Sequence, residues 1–129
     1  MSTKLDVFGK IAVTAAEDAS RGKSPREAWA LAAECVAPNS KSMQKKGCPR
    51  DTFLGLCSHG LIRGVPAKNY TRSIKNTSYG LEAVKILKTD SSFLIDRRAL
   101  WRAVIGEEKK EENGQMSVVI ALFGRNFIR

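Results

Sequence analysis

The chain has 129 residues, which suits one domain, and 43% of them are apolar, enough for a core. No apolar run approaches the ~20 residues of a membrane span, and Met1-Ser2-Thr3-Lys4-Leu5-Asp6 lacks a signal-peptide core, so a cytoplasmic protein without membrane contact is expected. The formal net charge of +9 points to an anionic partner, and three cysteines, an odd number, argue against a disulfide framework.

The hydrophobic spacing predicts an all-α domain, residues 1–129, of about six helices. Leu5, Phe8, Ala12, Ala15 and Ala19 form a helical stripe that ends at Gly22. Ser24-Pro25-Arg26-Glu27 starts a second helix. Ser24 can cap it, Pro25 suits its first position, and Glu27 can reach back to close a capping box. Ala28, Trp29, Leu31, Ala32, Cys35 and Val36 then recur at helical spacing until Pro38. These two helices should pack as a hairpin. Cys48-Pro49-Arg50-Asp51 opens a third, with Pro at the first position and an acid in the first turn. Phe53, Leu54, Leu56 and Cys57 follow, and Gly60 ends it. A polar loop spans 64–76. Tyr79, Leu81, Val84 and Leu87 mark a fourth helix over 77–88. Asp96 caps a fifth, which carries Leu100, Trp101, Val104 and Ile105 and stops at Gly106. The last starts at Asn113 or Gly114 and turns Met116, Val119, Ile120 and Phe123 inward.

The two halves read alike. Leu54-Gly55-Leu56-Cys57-Ser58-His59-Gly60-Leu61-Ile62-Arg63 aligns without a gap on Ile120-Ala121-Leu122-Phe123-Gly124-Arg125-Asn126-Phe127-Ile128-Arg129, 66 residues on. Gly60 meets Asn126, the two residue types that most readily take the left-handed conformation ending a helix. Each half also holds a tryptophan helix (Trp29, Trp101) and a charged linker with a Lys-Lys pair. Two similar three-helix units, residues 5–63 and 77–129, are expected to share one core.

Few residues suggest chemistry. Cys35, Cys48, Cys57 and His59 lack the close pairs of a structural zinc site, so neither a metal nor a cofactor is expected. Cys48 sits near a helix start beside Lys45, Lys46 and Arg50, a setting that favours a reactive thiolate. His59 lies in the last turn of its helix, where a cation suits the dipole, and Arg125 is its repeat mate. No phosphate loop, nucleophile elbow or zinc-protease helix is present. Residues 107–112 read as a solvated charged linker.

The charge is concentrated. Residues 41–75 hold eight cations (Lys41, Lys45, Lys46, Arg50, Arg63, Lys68, Arg72 and Lys75) against Asp51 alone. Tyr70 lies among them and offers a ring for stacking on a base. Mixed cations, hydroxyls and amides make phosphate and sugar contacts. The exposed start of the third helix is thin for reading base edges, so backbone or structure-specific binding fits better than sequence-specific reading.

The string Lys45-Lys46-Gly47-Cys48-Pro49-Arg50-Asp51-Thr52-Phe53-Leu54-Gly55-Leu56-Cys57 continues to Gly60-Leu61-Ile62. With Asn69-Tyr70-Thr71-Arg72-Ser73, the stretch 79–87, Trp101 and Gln115-Met116-Ser117-Val118-Val119, it resembles a family of small uncharacterised bacterial proteins. The resemblance covers most of the chain. It implies a bacterial or phage origin and a cytosolic setting, and carries over no activity and no functional residue. The expected function is therefore non-catalytic binding of DNA or RNA, or a regulatory role, through the 41–75 surface. The alternatives are a protein-interaction module with an acidic partner or a homo-oligomer, and a small enzyme built on Cys48.

Overall fold

The structure, a computed structural model, describes residues 4–129. In order come α1 (Val7–Ser20), α2 (Pro25–Val36), α3 (Lys41–Gln44), α4 (Gly47–Ser58), α5 (Ile74–Thr89), α6 (Arg97–Ile105) and α7 (Gln115–Gly124). A 3-10 turn, Ser91–Ile95, joins α5 to α6. The α3 helix is a single turn, so six longer helices carry an all-α fold, as the spacing predicts. The extended backbone pairing among the described residues is one antiparallel bridge, Ile62 to Ile128.

Several starts and stops follow the local chemistry. Ser24 Oγ accepts from Glu27 N at 3.3 Å, with Pro25 at the first helical position. Only half of the expected capping box forms, since the Glu27 carboxylate lies 3.9 Å from Lys23 Nζ instead. Asp96 caps α6 by accepting from Ala99 N at 3.0 Å. The α4 and α7 helices end alike. Gly60 and Asn126 have φ +70 and +66, and each donates back to the carbonyl three residues before it. Leu61 and Phe127 donate to the carbonyls of Leu56 and Leu122, completing the same Schellman ending twice. The chain then crosses itself where Arg63 N donates to Phe127 O and Arg129 N to Leu61 O, both at 2.9 Å.

Other boundaries differ from expectation. The α4 helix starts at Gly47, so Pro49 is its third residue rather than its first, and no acid lies in its first turn. The α5 helix starts at Ile74, inside the expected 64–76 loop, because Ser73 Oγ accepts from Asn76 N. Residues 107–112 are more than a solvated linker. Glu112 accepts from Gly114 N and Met116 N, both at 2.9 Å, and so caps α7. Glu108 accepts from the Tyr79 hydroxyl at 2.9 Å. Burial, then this carboxylate, raises the Tyr79 phenol above its ordinary pKa.

The core runs through both halves. Alanines make the α1–α2 hairpin tight: Ala12, Ala15, Ala16 and Ala19 face Ala28, Ala32 and Ala33, all buried. Trp29 packs on Phe53 with ring centroids 5.4 Å apart, and Tyr79 meets Trp101 edge-on at 4.9 Å. Outside the hairpin the broadest contacts cross between halves, α4 on α5 and α1 on α7.

The α4–α5 crossing is the closest approach. A Cβ on Gly55 would stand 2.9 Å from Thr77 Cα, which is backbone and cannot rotate away. A Cβ on Gly80 would stand 3.1 Å from Thr52 Cγ2. Gly55→Ala should therefore force the helices apart and cost about 1–3 kcal/mol, the usual penalty for overpacking. Gly124→Ala meets nothing within 4 Å and serves as the comparison. Chemical denaturation should show a lowered midpoint for Gly55→Ala alone, and equal midpoints would refute the crossing.

Candidate functional site

The segment from Pro66 to Ser73 has no helix or strand and lies as a strap over the ends of α2 and α4. Its attachment begins inside α4. The Ser58 hydroxyl donates to Leu54 O at 2.9 Å, which leaves its oxygen to accept from Tyr70 N at 3.0 Å. Arg26 of α2 donates to Tyr70 O at 3.1 Å. The Tyr70 hydroxyl donates to Pro66 O at 2.7 Å, and its ring packs half-buried on the core. Burial holds that phenol above its ordinary pKa, so it stays a neutral donor. Thr71 donates to Asp51 Oδ1 at 3.2 Å, and Ser73 then caps α5.

These attachments enclose a polar cleft of about 470 Å3 between strap, α2 and α4. Three guanidinium groups line it: Arg26, Arg50 and Arg72. One carboxylate, Asp51, faces them, and it is already engaged. Arg50 Nε lies 3.3 Å from the same Asp51 oxygen that accepts from Thr71. The local balance is therefore positive. Among the described residues Arg26 and Arg72 have no ion-pair partner, and each guanidinium offers five donors. The Ser73 hydroxyl and the Asn69 amide complete a lining suited to an oxyanion, while the Thr71 hydroxyl stays engaged with Asp51.

The nine predicted contact residues divide. Arg50, Tyr70 and Arg72 come together in the cleft. Lys41 and Lys45, on or just after α3, and Lys68, on the strap, are exposed. The other three are engaged elsewhere. Lys46 Nζ sits 5.4 Å from the Phe8 ring centroid. Arg63 donates to Asn126 O at 3.0 Å, beside the chain crossing. Lys75 lies 3.9 Å from Glu108. Arg26 lay outside the basic stretch and was missed. No spacing rule links it to Tyr70, 44 residues away. Its only local signal is an exposed position on the face of α2 away from the core.

A second hollow, about 440 Å3, lies between the start of α1, the 3-10 turn and α7. Its central cation is already committed. Arg97 Nη1 stands 2.8 Å from Asp6 Oδ2 and 2.9 Å from Ser117 Oγ. Its Nε lies 4.0 Å from Glu112. Arg97 is thereby tied into the fold, although Lys4 and Arg98 at the edge of the same hollow have no ion-pair partner among the described residues.

The sequence matches a family of unknown function (DUF6979) over residues 5–129. The chain belongs to this family. No curated protein and no solved structure matches it. The family brings no activity with it, so the functional reading has to come from the geometry.

The cysteines differ in access. Cys35 is exposed, Cys48 half-buried and Cys57 buried, where loss of solvent pushes its thiol far above the ordinary value. Among the described residues no three His, Cys, Asp or Glu side chains are grouped to hold a metal. Maleimide labelling of the folded protein, read by peptide mass spectrometry, should proceed in the order Cys35, Cys48, Cys57. Cys57 should react only on unfolding. Early labelling of Cys57 would contradict the packing of α4.

Proposed function

We propose that this protein binds nucleic acid without catalysing a reaction, through the cleft of Arg26, Arg50 and Arg72. One observation carries the reading. Three guanidinium groups surround a polar cleft whose single carboxylate is already paired, while Lys41, Lys45 and Lys68 stay exposed on neighbouring segments. Guanidinium forks match phosphate oxygens in geometry and charge. The concentration of charge in residues 41–75 exceeds what solubility requires and supplies the longer-range attraction. The contacts are to the phosphate backbone. The Tyr70 ring is packed on the core, and the exposed part of α4 offers few groups to base edges.

Binding of labelled DNA and RNA, followed by fluorescence anisotropy at about 50 and 200 mM salt, tests this directly. Affinity should fall steeply with salt as counterions are taken back by the phosphates. Arg26→Glu with Arg72→Glu should lower affinity at least about tenfold and flatten the salt slope by about one unit per lost phosphate contact. The reversal Lys85→Glu with Lys88→Glu changes net charge equally on the exposed side of α5 and should move affinity less than about threefold, because exposed charges beyond a Debye length are screened. Equal losses from both pairs, or no binding at low salt, would contradict the assignment.

A further inference from the structure

The strap has a second hollow beside the arginine cleft, of about 550 Å3, and the two share Asn69, Thr71, Arg72 and Ser73 as walls. The chemistry changes across them. The second hollow gains Ile74 and Leu81 from α5 and His59 from the end of α4. No carboxylate lines it, and Arg72 is its one permanently charged group. Ile74 is 81% exposed, directly after the cap residue Ser73 and next but one to Arg72. Packing does not require an isoleucine there, since it makes little contact with the core.

From this juxtaposition we infer that the ligand is single-stranded nucleic acid, whose phosphate sits among the arginines while an unstacked base enters the hollow of His59, Ile74 and Leu81. The inference rests on the nucleic-acid reading above and names the form of nucleic acid. A nucleotide joins an anion to a flat ring with apolar faces and polar edges. The neighbouring sites offer these features in the same order: guanidinium groups, a polar shared wall, then the aliphatic side chains of Ile74 and Leu81. Imidazole and aliphatic faces pack on the ring, and the amide of Asn69 and hydroxyl of Ser78 meet its edge. A duplex holds its bases stacked and paired, so it can reach the arginines but not the hollow. A run of acidic side chains alone would fill the cleft and leave Ile74 and Leu81 without a matching group.

The experiment compares an unstructured oligo(dT) of about 12 nucleotides with a duplex of equal length, at matched salt, for the native chain and for His59→Ala with Ile74→Ala. Both substituted side chains are exposed, and a circular dichroism spectrum matching that of the native chain is the check that the fold is kept. The native chain should favour the single strand. The double substitution should weaken oligo(dT) binding about tenfold, the scale of one lost base contact, and leave duplex binding unchanged within about twofold. Equal affinity for the two forms, or equal losses on substitution, would overturn this inference and leave the arginine cleft standing as a backbone site. Absence of binding to both forms at low salt would overturn the two together.

Discussion

Two glycines set how closely α4 and α5 approach, and this crossing is the broadest helix contact outside the α1–α2 hairpin. Gly55 leaves no room for a methyl group between α4 and the backbone of Thr77, and Gly80 meets Thr52 and Leu56 at near contact on the opposing helix. The residues from His59 to Ser73 run outside the crossing, as connecting segments with unpaired backbone groups do. They first reach back to pair Ile62 with Ile128, then travel over the ends of α2 and α4 before α5 begins. Both hollows beside the strap are lined in part by this surface connection.

The strap is held by a few polar contacts and by the half-buried Tyr70 ring. Ser58, Arg26 and Asp51 each bind a different point on it, and each comes from a helix whose other face is fixed in the core. A ligand-binding segment on a rigid base is a common way to place polar groups accurately. A second polar network uses the same means for a different end. Asp6, Arg97, Ser117 and Glu112 join α1, α6 and α7 in one network, and its cation is neutralised within the protein. Where charges are matched they stabilise the fold. Around Arg26 and Arg72 they are unmatched, and there the surface can act on something else.

What was legible in the sequence was local. Ser24 before Pro25, Asp96 before α6, and the Gly60 and Asn126 endings fix helix boundaries through contacts within five residues, so a linear pattern carries them. The 66-residue offset also marks a real meeting point, since Ile62 and Ile128 pair at that separation. The charge density of residues 41–75 was visible, but its division was not. Lys46 turned to Phe8, Arg63 to Asn126 and Lys75 to Glu108 because the tertiary fold brings those partners near. Arg26 was hidden for the same reason. The single-turn α3 and the 3-10 turn are too short to show a period, and the role of Glu112 as the α7 cap depends on where the linker turns. Gly55 carries no local signal of the crossing, because Thr77, the residue it must admit, lies on another helix.

On the proposed function, the unmatched guanidinium groups of Arg26 and Arg72 beside the strap form the contact surface for an anionic chain. Nuclear magnetic resonance of the 15N-labelled protein, titrated with a short oligonucleotide, places that surface residue by residue. Shifts should concentrate on the amides of Arg26, Arg50 and Asn69 through Ile74, with the Arg97 network unmoved. Shifts centred on Arg97, Arg98 and Arg102, or spread evenly over the basic residues, would contradict it.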